Sequence, residues 1–351
     1  MHKVNPEDFS CPLPIMEYET IQLAHGSGGR LSAELVSRFF LPRFGNEILN
    51  RLEDQAVVAF PSGRLALTTD SFVVDPLFFP GGDIGDLAIN GTVNDVCMSG
   101  ATPLYLAAAF IIEEGLPMAT LHRVLLSMEK AAKAAGVQIV TGDTKVVNRG
   151  CCDKLFITTT GVGQVPEGVN ISAANLKVGD KIILSGTIAD HGMAILTSRE
   201  GLSFASRVQS DTAALNGLVV QMLRASSDIH AMRDPTRGGL ATTLNEFAAS
   251  SQVGIMLEEA VIPVRPEVRG ACEVLGIDPM YVANEGKLVG IVSAKFADKV
   301  LAVMRSHPLG REAAIIGEVV EENRGVVAMR TALGAHRIVD MPVGEQLPRI
   351  C

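Results

Sequence analysis

Four aspartates and one thiol stand where side chains do chemistry rather than packing. Asp54, in the pair Glu53-Asp54, precedes a strand-like run; Asp70 ends one, Asp95 lies on a polar helix and Asp143 follows a third strand. Open α/β sheets bind their ligands at such strand ends. Acids converging on one crevice repel unless a cation joins them, and hard carboxylate oxygens suit Mg2+ carried in with nucleotide phosphates. Each Asp taken singly reads as a turn or cap residue; their equivalent positions weaken that reading. The thiol is Cys351, which closes the run Pro348-Arg349-Ile350-Cys351. Val339 to Leu347 before it carries Pro342 and Gly344 but no hydrophobic period, so the tail is expected to be mobile. By itself such a cysteine reads as a frayed end. The body of the chain, however, reads as an ATP-using enzyme without a nucleophilic cysteine of its own. About a dozen extended residues span on the order of 40 Å, enough to bring the sulfur into a cleft as a tethered substrate.

Three further clusters bear on the same chemistry. His25-Gly26-Ser27-Gly28-Gly29 can wrap backbone N–H groups around phosphate oxygens, a weak signal for a lone glycine-rich loop. Asp234-Pro235-Thr236-Arg237-Gly238-Gly239 reads as a helix N-cap with Pro at the first helical position, a geometry that also binds anions or a metal–phosphate unit. Glu285, in Asn284-Glu285-Gly286-Lys287, sits just before a strand at the rim of a sheet, where a solvated turn is the plainer reading. No Walker A sequence is present, and Gly161-Val162-Gly163 lacks the third glycine of a dinucleotide fingerprint.

The elements that must position these groups alternate between strand and helix. Residues 1–17 read as a flexible arm. Gln55–Phe60 and Arg64–Thr69 flank Pro61-Ser62-Gly63, a hairpin signal. A helix over Asp83–Ser99 carries Asp86, Asn90 and Asn94 on one stripe, with Gly91 beside it; a glycine there costs about 1 kcal/mol of helix propensity and suits a close approach to the backbone. Strand Leu104–Ile112, helix Met118–Ala135, strand Val137–Thr141 and strand Leu155–Val165 complete the first half. After a linker at Pro166–Asn175, Asp180–Ser185 opens a second block. It holds helices Thr212–Arg224 and Thr236–Ala249 and strands Gly254–Glu258, Lys287–Ser293, Ala314–Val320 and Val326–Arg330. The chain thus divides into an arm (1–17), an ATP-binding α/β domain (18–168), a second α/β domain (172–338) and a tail (339–351).

Composition excludes several classes. Length allows two cores. A net charge of −9, no Trp and 5% aromatics argue against nucleic acid. The longest apolar run, Leu104–Ile112, is far short of a membrane span. Six cysteines without a CxxC pair form neither a zinc site nor a disulfide framework and fit a reducing cytoplasm.

Glu53-Asp54-Gln55-Ala56, Thr68-Thr69-Asp70, Asn94-Asp95, Gly142-Asp143-Thr144 and Asp234-x-Thr-x-Gly-Gly together resemble the superfamily of aminoimidazole ribonucleotide synthetase, thiamine-monophosphate kinase and selenophosphate synthetase. His25 to Gly29, Gly142-Asp143-Thr144-Lys145-Val146-Val147, Asn284 to Lys287 and the closing Pro-Arg-Ile-Cys resemble its hydrogenase-maturation branch, over roughly Ile21 to Cys351. Gln55 departs from the superfamily's commoner Asp-Asp-Ala. The resemblance implies two α/β domains, with the first sheet pairing across a homodimer. It also implies ATP-dependent dehydration of a carbamoyl group on Cys351 to a thiocyanate, the source of the cyanide ligand of nickel-iron hydrogenase. A carbamoyltransferase partner would load the thiol and a scaffold complex would receive the cyanide. Glu285 would be the base and Lys145 the oxyanion partner. Asp54, Asp70, Asp95 and Asp234 would hold Mg2+ on ATP. His25 to Gly29, Asn94 and Gly142 to Thr144 would complete the nucleotide site. A selenophosphate-synthetase-like kinase is the nearest alternative, but such an enzyme is expected to keep a reactive Cys or selenocysteine in the glycine-rich segment, where this chain has none. A non-enzymatic thiol carrier ranks third, since one thiol without neighbouring His or Cys is a poor metal site.

Overall fold

The computed structural model describes residues 18–27, 30–52, 56–199, 208–342 and 350 and folds them around two mixed sheets. The arm assigned to 1–17, the loop residues Gly28 and Gly29, Glu53-Asp54-Gln55, and the tail residues 343–349 with Cys351 lie outside the described residues.

α1 (Arg30–Leu35), a π turn (Val36–Phe40) and α2 (Leu41–Phe44) follow one another without a break and bury Leu35, Phe39, Phe40 and Phe44. The first sheet runs β1 (Arg64–Phe72), β6 (Leu155–Val165), β4 (Thr102–Glu113), β5 (Gln138–Val147). Only β4 and β5 are parallel, joined by α4 (Met118–Ala135) as a crossover. A short hairpin, β2 (Phe78–Phe79) and β3 (Gly82–Asp83), leads into α3 (Ile84–Met98), whose N-terminus is capped by the Asp83 carboxylate accepting the N–H groups of Gly85 and Asp86. Strand alternation turns Ala66, Thr68, Asp70 and Phe72 toward α3, and Leu65, Leu67, Thr69 and Ser71 to the opposite, open face. α3 can lie this close because Gly161 and Gly163 carry no side chain: a Cβ on Gly163 would stand 2.5 Å from Val96 Cγ1 and 2.7 Å from the Thr102 oxygen. The glycine pair is a packing feature of β6.

The second sheet has seven strands: β13 (His336–Ile338), β12 (Val327–Arg330), β9 (Gly254–Glu258), β11 (Ala314–Val320), β7 (Lys181–Leu184), β10 (Val289–Val292) and β8 (Ile229–Arg233). Its helices are α5 (Asp190–Arg199), α6 (Asn216–Ala225), α7 (Gly239–Ser251), α8 (Pro266–Leu275) and α9 (Ala294–Ser306). The central strands are covered on both sides, which is why they read as short unbroken apolar runs. Ile182 and Leu184 enter the core with Leu244 and Phe247 of α7, while Ile183 joins Leu218 and Met222 of α6 and Val300 of α9.

Three expectations are corrected here. Residues 56–60 are not a strand: they form no ladder with β1, whose nine residues pair only with β6 and whose outer edge stays unpaired among the described residues. β5 does not stop at Thr141 but runs through Gly142-Asp143-Thr144-Lys145 to Val147, because a Cβ on Gly142 would fall 2.2 Å from the Ala108 oxygen and its absence lets β4 and β5 stay paired. Asp234 is not the cap of α7: that helix begins five residues later, behind Gly238 in the left-handed region, and Asp234 is left buried in the turn before it.

Candidate active site

Glu285 is the most unusual side chain of the seam between the two halves. The sequence reading placed it on a rim, but it is only 2% exposed. The loop around it explains the neighbouring residue types. Asn284 is fully spent in holding the loop, its amide nitrogen donating to the Pro235 and Val282 oxygens and its oxygen accepting the Ala189 N–H at 2.7 Å. Gly286 is required because a Cβ would stand 1.8 Å from the Asp211 oxygen. Lys287 reaches Asp211 at 3.1 Å, and Asp211 in turn accepts the N–H groups of Glu285 and Gly286. Glu285 itself keeps one buried oxygen with no hydrogen-bond partner among the described residues. Its other carboxylate oxygen faces Gly91, 3.8 Å from where a Cβ would be, and the Phe72 ring comes to 3.0 Å of the same point. The sequence signal at Gly91 is thereby explained: a ring and a carboxylate approach the α3 backbone there.

The electrostatics of this seam are those of crowded acids. Burial first, then the charges of Asp234, Asp211, Asp70 and Asp95, push Glu285 well above the ordinary carboxylate range. Burial and then Asp95 raise Asp234 to about 7. Asp95 is raised by burial and by Asp70, against the Thr68 hydroxyl that donates to it at 2.8 Å. Asp70 is raised by burial, with the Ser71 N–H and Arg237 offsetting only part of it. Asp211 behaves oppositely: burial alone would raise it, but the Lys287 charge and the Glu285 N–H outweigh that and hold it low. Asp70, Asp95 and Asp234 are thus near enough to feel one another's charge. Among the described residues no three such side chains stand close enough to hold a metal ion alone, and Asp54 lies outside them. Mutually repelling hard oxygens that stop short of a closed cage fit a Mg2+ that takes its remaining ligands from phosphates and water.

The other expected residues fall elsewhere. His25, Gly26, Thr144, Gly142, Asp143 and Lys145 line a separate cavity of about 340 Å³ floored by Leu35, Phe40, Phe44 and Phe110. His25 closes a 3-10 turn, Leu23–Gly26, by accepting the Gln22 N–H, and its Nε2 has no partner among the described residues. Ser27 is turned back onto the Ala24 oxygen. Asp143 and Lys145 pair at 3.3 Å on the open face of β5. Asp70 lies at the opposite edge of the sheet and on its opposite face, three strand spacings or roughly 14 Å away. The four acids first grouped together thus do not converge: Asp143 belongs to a second cluster. Asn94 is fully buried, donates to the Ala213 and Glu285 oxygens and accepts the Leu215 N–H, which makes it a clamp between the halves.

Ile350 is the described residue of the tail's end, and it is 5% exposed, packed in the first core. Its carbonyl accepts from His191 Nε2 at 2.9 Å. The Ile350 side chain sits in an apolar slot that has no sequence signature, while residues 343–349 and Cys351 of the tail expected to be mobile lie outside the described residues. His191, Ser210, Asp211 and Lys287 had escaped the sequence reading. Only Lys287 stood inside a noted motif, and the others have no local pattern that sets them apart.

Profiles of the AIR synthase related proteins match residues 52–165 with the N-terminal domain and 177–330 with the C-terminal domain. The carbamoyl dehydratase HypE of Cupriavidus necator is 58% identical over 332 residues, 94% of this chain and 95% of that protein. The chain belongs to the HypE family of AIR synthase related proteins. A crystal structure of the hydrogenase maturation protein HypE in complex with ATP superposes with a TM-score of 0.91 at 53% identity, covering 94% of this chain and 99% of that one. HypE in a HypE–HypF complex superposes at 0.78 with 49% identity, covering 90% of this chain and 100% of that one.

Proposed function

We propose that this protein is an ATP-dependent carbamoyl dehydratase of nickel-iron hydrogenase maturation, acting on an S-carbamoyl group carried by its own Cys351. The observation that carries this reading is Glu285, a buried carboxylate with an unpartnered oxygen in the seam where the end of the tail is seated. The names of relatives more than half identical over nearly the whole chain support the activity, and the ATP complex of one supports the nucleotide. An amide oxygen is a very poor leaving group. Its attack on the γ-phosphorus of ATP, with loss of ADP, converts it to a phosphate ester. Removal of both nitrogen protons as the C–O bond breaks then leaves the thiocyanate and inorganic phosphate. Glu285 would accept a proton in that second stage, its ionised form being available once a bound cation offsets the neighbouring acids that push it up. Asp70, Asp95 and Asp234, with Asp54, would hold Mg2+, which when bound supplies charge neutralisation for the phosphates. Lys145 would stabilise developing negative charge. Because it stands away from Glu285 in one chain, that role needs a second copy across the open face of the first sheet. HypF in the solved complex supports a carbamoyltransferase that loads the thiol, and a scaffold complex would then take the cyanide onto iron. The composition and the absence, among the described residues, of a helix able to cross a membrane fit a protein at work in the cytoplasm.

Intact-protein mass tests the assignment. Glu285→Gln, loaded by the carbamoyltransferase and given ATP, is expected to keep its carbamoyl adduct, with loss of water slowed by about 2–4 orders of magnitude, typical for a general base. Conversion at the wild-type rate would move the base elsewhere. Removing Cys351 should abolish the adduct while leaving ATP binding unchanged.

A further inference from the structure

We propose that His191 is the latch that positions the tail for dehydration, a role that rests on the function proposed above. The Ile350 carbonyl it holds belongs to the peptide unit that joins Ile350 to Cys351, so a hydrogen bond to that oxygen anchors the chain immediately before the thiol-bearing residue. A carbonyl only accepts, hence Nε2 carries the proton; the Nδ1 of a neutral ring then accepts the Ser210 hydroxyl at 2.8 Å. The Ser210 oxygen is itself oriented by the Thr212 N–H, and the Ser210 backbone is pinned by its N–H to the Pro80 oxygen at 2.8 Å. The ring is fully buried, stands edge-on to Phe79 at 5.5 Å between centroids, and is held in its neutral form by burial, against the neighbouring Asp211 charge.

The same strap of chain continues to the base. Asp211, next to Ser210, binds the backbone N–H of Glu285, and Thr212 accepts from Asn90 of α3. Three consecutive residues therefore tie the seat of the tail, the loop bearing Glu285 and the polar stripe of α3 into one unit. Ile350 and the base are linked through Ser210 and Asp211, and among the described residues His191 is the member of the unit that hydrogen-bonds Ile350.

Two variants separate the donor from the space it fills. His191→Phe keeps a ring against Phe79 but has no N–H to offer, whereas His191→Gln can place an amide N–H near the position of Nε2. Three quantities are read on full-length protein. They are the rate of iodoacetamide labelling of Cys351 from the mass of the C-terminal peptide, the rate of carbamoyl loading by the transferase, and single-turnover loss of water from the loaded protein with ATP. In His191→Phe, labelling should rise and dehydration fall by roughly fivefold to tenfold, the change that goes with one net hydrogen bond, while loading is unchanged or faster. His191→Gln should recover most of both. Wild-type labelling and dehydration in His191→Phe would overturn the latch. So would a glutamine variant as impaired as the phenylalanine one, or a parallel fall of loading and dehydration, which would assign His191 to the fold alone. If wild-type protein itself never loses water from the adduct, the proposed dehydration fails, and the labelling rates still decide the latch.

Discussion

Two carboxylates in the same seam illustrate how position decides chemistry. Asp211 has Lys287 and two backbone N–H groups on its oxygens and stays an anion; Glu285, a few ångströms of backbone away, has acids for neighbours and one oxygen unbonded. The first is a structural strut and the second is the group proposed above as the base. Asp70, Asp95 and Asp234 also have acids for neighbours, although Asp95 accepts the Thr68 hydroxyl and Asp70 the Ser71 N–H. Asp95→Asn is therefore expected to leave the melting temperature of the nucleotide-free protein unchanged or higher, because a repelling charge is removed, and to abolish ATP turnover. Wild-type turnover in the folded variant, read by phosphate release, would show that Asp95 takes no part in holding the nucleotide.

α3 serves two masters at the scale of elements. Its Asn90 and Asn94 bind the second half, while its opposite side rests on β6, where the Thr92 hydroxyl meets that of Thr159 and the Thr159 hydroxyl also donates to the Ala88 oxygen. Any lift of α3 off the sheet must displace Glu285 as well, through Asn94. Gly163→Ala should force such a lift, since both neighbours of the new methyl are fixed, one being backbone. A loss of about 1–3 kcal/mol is expected from overpacking of this kind, read from urea unfolding, together with slower dehydration. Gly270→Ala in α8 is the control: nothing lies within 4 Å of its Cβ, and replacing a helical glycine should stabilise by up to about 1 kcal/mol. Equal stability of the Gly163→Ala and wild-type proteins would mean that α3 yields without consequence.

The whole molecule leaves one face of its first sheet open. Leu67 is 65% exposed there and Leu65 53%, with Val162 and Tyr105 in register beside Leu67 and a band of threonines beyond. Across that band stand Asp143 and Lys145. Contiguous apolar surface on an otherwise well-buried chain calls for a cover, and a second copy closing about a twofold axis is the one proposed here. Sedimentation should give a homodimer at micromolar concentration. Leu67→Asp should shift it to monomer and, on the role proposed for Lys145 across the interface, should slow dehydration as well. A stable wild-type monomer would refute the dimer.

Long periodic elements were legible without the fold. The helix over Met118–Ala135 stands where a 3.6-residue period put it, because one buried face leaves its mark on every turn, and the strands Gly254–Glu258 and Ala314–Val320 stand where short apolar runs put them, while the helix within Asp83–Ser99 is buried on nearly every side, its polar stripe included. The residue types of the site were legible too: acids at strand ends, Glu285 between an asparagine and a glycine, a glycine on α3. What no local pattern contained was which of these meet. Asp70 and Asp143 look alike in sequence, yet they lie on opposite edges and opposite faces of a sheet whose strand order is a long-range fact. Glu285 reads as a solvated turn until Asp211 and Asn94, from two other elements, close over it. His191 reads as nothing at all until the chain's far end comes to rest against it, 159 residues away. Periodicity records what each segment does with its own faces. Burial of a polar group, and the partner that makes it tolerable, are set only when distant segments pack.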